Sequence, residues 1–340
     1  MNAMGDVAAE APQARSTSLK FEIGARTLVA IQRYLVRIPL TLDEARAERL
    51  PVLPPLPREA HGYGVTSLPE QLVPALVKAS GDMLPFVRQR YTRYFTDFGI
   101  GFDAWWNGLS SNARQGIKRK AKKIAAESGG ELDVRAFRGP QELEAFHDVA
   151  RRISLRTYQE RLLGSGLPDS AEFIATMLAQ AAAGQVRAWL LYIAGEPAAY
   201  LYCPVIEGGV VIYAHVGHDP AFNDLSPGAV LQLEAMRELF EEGKFARFDF
   251  TEGEGQHKRQ FATGGVACVD LFLLRPSLAN RVTMAALGGF NRGVAGMKAL
   301  VQRAGLEKLA KKGRRGAHLP PPPSWGGGQR PQEVGGGGGA

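Results

Sequence analysis

Apolar positions along the middle of the chain change period several times, and each change predicts an element. In "SSNARQGIKRKAKKIAAE", residues 110 to 127, Ile117, Ala121 and Ile124 recur at three- and four-residue steps. That spacing lines one face of a helix and leaves Arg114, Lys118, Arg119, Lys120, Lys122 and Lys123 on the rest of its surface. Ser110 or Ser111 is placed to cap it. "ELDVRAF" then alternates as a strand does. "PQELEAFHDVARRISLRTYQERLL" returns to helical spacing through Leu143, Phe146, Val149, Ile153 and Leu162, and "DSAEFIATMLAQAAAG" is a second helix closing on Gly184. Three apolar runs follow, "QVRAWLLYIAG", "EPAAYLYCPVIEG" and "GVVIYAHVGHDP", joined by the turn sequences "GEP" and "EGG". They predict consecutive strands. A helix over "PGAVLQLEAMRELFEEG", a strand at "FARFDFT", a polar stretch and a last strand at "VACVDLFLL" complete the order β-α-α-β-β-β-α-β-β.

The flanks read differently. Residues 19 to 109 contain a proline-rich connector, "LPVLPPLP", and two stretches with strand character, "GYGVTSLP" and "YTRYFTDF", in an otherwise irregular part. Residues 1 to 18 and the Pro/Gly-rich tail 319 to 340 offer too few apolar side chains to offset the entropy of ordering, and are expected to be disordered. Between the last strand and that tail, residues 276 to 318 are basic and amphipathic, with Leu278, Val282, Phe290, Val294, Met297, Val301 and Leu309 at helical steps or their multiples. Such a helix suits an anionic membrane surface, or packs on the domain.

Charge sharpens this division. The chain of 340 residues carries a net +7, yet from residue 276 onward ten basic side chains face two acidic ones. The extension therefore holds +8 and the first 275 residues sum to −1, so no nucleic-acid partner is expected for the body. Cys203 and Cys268 sit inside apolar runs, as small buried side chains of a protein in a reducing compartment do. "MNAMGDVAAEAPQARSTS" has no signal-peptide core, and no apolar run approaches the roughly 18 residues of a membrane span. A cytoplasmic protein, with a peripheral place at the inner face of the membrane, is expected. The six histidines show no metal-ligand spacing.

Candidate chemistry lies near two strand ends. Ser226-Pro227-Gly228 reads as a helix start, with a capping hydroxyl, proline at the first helical position and a glycine that bares the backbone. The free amides of such a start suit a phosphate. His215 and His218 lie on or after the preceding strand; Asp249, Glu252, Glu254 and His257 surround the next. Each is a candidate base. His215 shares a strand face with Tyr213 by simple alternation, and points either at a substrate or into a packed layer. Asp249, between Phe248 and Phe250, is functional or a satisfied buried ion pair.

Four stretches together, "LSSNARQGIKRKAKKI", "TYQERL", "HDPAFNDLSPGAVL" and "DFTEGEGQHKRQF", give residues from roughly 100 to 275 a likeness to a known family. In their order they resemble the acyl-CoA-binding core of the GNAT family of N-acyltransferases, and within it the CelD/BcsL-like group, which is related to the Fem-type transferases. The resemblance implies a mixed α/β fold, a mostly antiparallel sheet flanked by helices, over residues 110 to 275, preceded by residues 19 to 109 as an irregular N-terminal part or a partial GNAT-like half. It implies a thioester between the strands at 209–217 and 245–251, and acyl-CoA phosphates on Ser226, Gly228, Ala229, Val230 and Lys258. His215, Asp249, Glu254 and His257 are the catalytic candidates, and Tyr158 and Arg161 line the acceptor side. No metal is implied. Two departures stand out. The usual glycine-rich loop is reduced to "NDLSPGA" with Asp224 nearby, and His257 stands where the pattern G-[DE]-x-x-Y-K has Tyr. The implied reaction is acyl transfer to a primary amine of an envelope component: a sphingoid-type base in ceramide formation, or an amino sugar of exopolysaccharide. Fem-like aminoacyl transfer and a non-catalytic membrane-associated scaffold are the alternatives.

Overall fold

In the computed structural model of the protein, the described residues are 13–23, 26–157, 166–253 and 255–303. The chain divides into two compact units, Met1–Met284 and Ala285–Ala340. The first begins with β1 (Ala14–Ile23), β2 (Arg26–Pro39), α1 (Leu42–Arg46), β3 (Gly62–Pro69), α2 (Val73–Ala79), β4 (Leu84–Asp97) and α3 (Phe102–Gly108). It continues with α4 (Ser111–Glu127), β5 (Asp133–Phe137), α5 (Pro140–Arg156), α6 (Ala171–Ala182), β6 (Val186–Ile193) and β7 (Glu196–Ile206). Then come β8 (Val210–Ile212), β9 (His215–His218), α7 (Pro227–Glu242), β10 (Arg247–Asp249), α8 (Gln256–Phe261) and β11 (Gly264–Leu274). A final helix, α9, spans Leu278–Arg303.

The strands form one mixed sheet in the order β1-β2-β3-β11-β4-β10-β8-β7-β6-β5, with β9 also paired to β7. Neighbours are antiparallel except β2 with β3 and β8 with β10. The expected α/β architecture, an extensive and mostly antiparallel sheet flanked by helices, is therefore present. Strand alternation sorts the apolar side chains between its faces. Trp189, Leu201, Cys203, Val211, Phe248 and Phe250 pack beneath α3, α4 and α7 on one face. Ala188, Leu190, Tyr200 and Tyr202 meet Phe146 and Met177 of α5 and α6 on the other.

Local sequence explains the helix starts. Ser110 caps α4 by accepting from Ala113 N, and Ser170 caps α6 by accepting from Phe173 N, at 3.2 Å each. Ile117 and Ile124 of α4 are buried, as their spacing predicts. Three features depart from expectation. β1 begins at Ala14, inside the stretch expected to be disordered. β4 is a long strand wedged between β10 and β11, so residues before 110 complete the sheet rather than standing apart as an irregular segment. The run "GVVIYAHVGHDP" forms two strands, because the chain breaks step at Tyr213 and Ala214.

Candidate active site

That break in step opens the sheet. β8 and β10 run parallel, and Tyr213 N donates to Asp249 O at 2.9 Å. Beyond this bond the two chains part. β9 pairs with β7 at residues 199–202, while Phe250 N donates to Tyr94 O of β4 at 3.1 Å. Neither strand supplies the other with further ladder bonds among the described residues. A cleft between splayed parallel strands exposes backbone groups that a bound extended group can satisfy.

The same break separates two residues that simple alternation puts together. Tyr213 packs against Phe248 and Phe250, with ring centroids 5.8 and 5.7 Å away. His215 instead lies on the opposite face, 5.6 Å from the ring of Phe173 and 6.0 Å from that of Tyr202. The shared face expected for this pair is thus corrected: the slip at residues 213–214 turns His215 toward α6. Burial lowers the pKa of His215 below the usual imidazole value, with a backbone contact at Gly166 opposing it, so the ring is neutral at neutral pH.

Gly217, two residues on, faces Tyr200 so closely that a Cβ there would lie 2.5 Å from Tyr200 Cε1 and 3.0 Å from Thr157 Cγ2. Only glycine lets β9 lie against that ring. His218 points to the other face, where Nε2 meets Asn223 Oδ1 at 2.8 Å and Nδ1 looks toward Gly228.

The start of α7 lies just past this histidine. Ser226 is its N-cap in an unusual left-handed conformation, φ 52°, and its hydroxyl makes no capping bond. The capping role expected of that hydroxyl is corrected: the left-handed backbone aims the side chain away from the first turn. Pro227 follows at the first helical position and is buried. A Cβ added at Gly228 would meet nothing nearer than His218 Nδ1 at 4.0 Å, so there is open space beside its α-carbon at the helix start. Ala229 N is turned back onto Ser226 O at 3.2 Å, and Val230 is buried. Of the three amides expected to hold phosphate, that of Ala229 is thus engaged within the helix start, and Gly228 is the residue with open space beside it. Asp224 is exposed on the turn before it. The basic helix α4 packs against both that turn and α7, which places its positive field beside the open helix start.

On the other lip of the cleft, Asp249 is fully buried and bound to Arg93 of β4, which is 8% exposed. Arg93 Nε and Nη2 donate to its two carboxylate oxygens at 3.1 and 2.5 Å, and Thr251 N donates at 2.9 Å. Of the two readings for this carboxylate, the ion pair describes its surroundings. Thr251 itself has φ 60°, a strained value for a β-branched residue, and turns the chain sharply out of the sheet. Glu252 and His257 follow on the segment that leaves β10. His257 stacks obliquely 5.9 Å from the Tyr213 ring, and both burial and the Lys258 ammonium lower its pKa. Lys258 Nζ donates to Glu252 O at 2.5 Å, which closes the loop on itself. The Glu252 side chain reaches the surface, yet surrounding protein and then Asp270 raise its pKa, with Arg93, Arg88 and Lys258 opposing. Glu254, Tyr158 and Arg161 lie outside the described residues.

Tyr213, not among the expected site residues, stands where the strands part. Its hydroxyl is held protonated by burial, with pKa raised well above the ordinary phenol value, at the point where the strands separate.

Residues 111–259 match the family model described as an acetyltransferase (GNAT) domain. Over this segment, less than half of the chain, the protein is similar to GNAT acetyltransferases. The parting of β9 from β10, the α7 start and most of the 249–261 loop all fall within it. Among solved structures, FemX is 12% identical over 76% of this chain and 88% of that one, with a TM-score of 0.44. L-PGS from Bacillus licheniformis is 14% identical over 66% and 71%, with a TM-score of 0.44. A GCN5-related N-acetyltransferase from Kribbella flavida is 15% identical over 64% and 71%, with a TM-score of 0.36. At such identities and scores the likeness is one of outline. No curated protein sequence matches the chain. The match over residues 111–259 makes the chain an acyltransferase.

Proposed function

We propose that the chain transfers an acyl group from acyl-CoA to a primary amine of a cell-envelope component. The observation that carries this reading is the parting of β9 and β10 beside the α7 start, where open space lies next to Gly228. The residues present fit the donor: a helix start with room above it for a phosphate, and a basic helix alongside. When bound, acyl-CoA supplies the activated carbonyl. The chain's own groups then accept the ammonium proton and donate one to the departing thiolate. Glu252 or the neutral His257 is a suitable base. Backbone donors along the unpaired edge of β9 stabilise the oxyanion.

Membership in the CelD/BcsL-like group, and an acceptor that is a lipid amine or an amino sugar, belong to the same proposal. So does membrane association through residues 276 to 318. No helix among the described residues is long and apolar enough to cross a membrane, but Leu278 and Val282 of α9 are exposed, 79% and 60%. A surface helix of that kind docks on anionic lipid. The test is thermal stability with coenzyme A and with acyl-CoAs of increasing chain length. A stabilisation that grows with chain length supports a lipid product; no shift with any of them removes the acyltransferase reading.

A further inference from the structure

A second cleft, of about 780 Å³, opens beside the loop that leaves β10. Its walls carry Arg15 and Thr17 from β1, Arg37 from β2, Thr66 from β3, Arg88 from β4, and Glu252. Register explains the convergence. Arg15 pairs with Leu35, two residues from Arg37 on the same face, and Arg37 pairs with Gly64. Glycine at that place leaves room over the sheet for a long side chain and a ligand. The alternate residues Val36, Ile38 and Val65 fill the core on the reverse face.

Three guanidinium groups thus face one cleft that holds a single carboxylate. Among the described residues neither Arg15 nor Arg37 has a carboxylate partner, and Arg88 reaches Asp270 at only 3.5 Å. Converging like charges repel unless an anion joins them. Planar guanidinium donors with two threonine hydroxyls beside them match a phosphate, whose oxygens accept several charge-assisted bonds at once. Glu252, in contrast, follows the end of β10 by three residues and is the cleft's one carboxylate, which suits an ammonium group.

We infer that this cleft is the acceptor site, and that the acceptor is an amine carrying a phosphate group, held by Arg15, Arg37 and Arg88 with its nitrogen at Glu252. The inference rests on the acyltransferase reading for its chemistry. The ammonium gives one proton to the Glu252 carboxylate, and the free amine attacks the thioester carbonyl. A C–N bond forms, the C–S bond breaks, and the thiolate takes the second proton that the nitrogen loses, giving amide and thiol. A plain sphingoid base has no phosphate; a phospholipid headgroup amine and a phosphorylated amino sugar both have one.

Calorimetric titration of the full chain tests this, with O-phosphoethanolamine and glucosamine 1-phosphate as probes against ethanolamine and glucosamine. The phosphorylated amines are expected to bind and the plain ones to bind at least about tenfold more weakly. Arg15→Ala and Arg37→Ala, both at exposed positions, are each expected to lose about tenfold toward the phosphorylated probe. Arg90→Ala, which removes the exposed pair with Glu70, leaves it unchanged. The stronger of the two phosphorylated probes identifies a lipid or a sugar source. Equal binding of phosphorylated and plain amines, no binding of any, or unchanged binding in both arginine variants overturns the inference. Titration with acyl-CoA separates the two readings. If acyl-CoA binds and the phosphorylated amines do not, the acceptor inference alone falls; if the arginines hold the amines and acyl-CoA does not bind, the donor reading falls instead.

Discussion

The buried pair of Arg93 and Asp249 supports the strand that borders the proposed thioester cleft, and its removal has a predictable size. Asp249→Asn keeps the shape of the side chain and removes the charge, so no cavity confuses the result. Arg93 would keep Leu40 O, at 2.7 Å, as its full acceptor, and the two carboxylate bonds at 3.1 and 2.5 Å would weaken or vanish. Leaving one charge buried without its partner costs about 3 kcal/mol or more. Thr251 N would also have to share a neutral amide oxygen in place of a carboxylate, at a residue already strained by φ 60°. The double variant Arg93→Met with Asp249→Leu removes both charges and should recover most of the loss. It should fall short by about 1 kcal/mol, because Leu40 O then has no guanidinium donor. Urea unfolding followed by the fluorescence of the buried Trp105 and Trp189 measures each step. A single variant within about 1 kcal/mol of the parent, or a double variant no more stable than the single one, would refute the reasoning.

Other expectations concern the cleft and its surroundings. Gly228→Ala should leave acyl-CoA affinity nearly unchanged, since a Cβ meets nothing within 4.0 Å, whereas Gly228→Asp should weaken it by placing negative charge where phosphate sits; titration of both variants checks this. Gly217→Ala should cost about 1–3 kcal/mol in urea unfolding, because its Cβ would come 2.5 Å from Tyr200; an unchanged midpoint contradicts the close approach. The raised pKa of Glu252 means that the folded chain binds the proton more tightly than the unfolded one, so stability falls as pH rises from the ordinary carboxyl value through the raised one. Glu252→Gln should flatten that fall, as measured by unfolding across pH, and an identical profile would show that Glu252 does not cause it. Truncation after Met284 should preserve the fold, because Asn280 and Thr283, which bind Arg33, are retained, while Leu278→Glu with Val282→Glu in the full chain should abolish association with anionic vesicles; retained association would contradict docking through α9.

The order of elements from α4 to β11 could be read from periodicity because each segment there buries one face and turns at Gly or Pro. Strand pairing from a distance could not. Arg93 and Asp249 are 156 residues apart, and nothing near either one in the chain shows which basic group answers the carboxylate. The long strand β4 hid for a related reason: its polar side chains find partners on β10, β11 and Asp270 rather than forming a clean alternation. The helix start at Ser226-Pro227-Gly228 was legible from residue types alone, but its left-handed cap was not, since φ 52° at serine breaks the usual preference. Nor was the slip at Tyr213 and Ala214, in a run whose apolar pattern continues without interruption. The arginine cleft depends on β1 and β2, whose strands fell partly in a stretch that composition marked as disordered.

Hydrogen exchange of the full chain, with and without a long-chain acyl-CoA, tests the central claim most directly. Slower exchange is predicted at Gly228 to Val230 and along Tyr213 to Gly217, where the donor would cover the helix start and the unpaired edge of β9. Unchanged exchange at both segments, or protection confined to residues elsewhere, would contradict it.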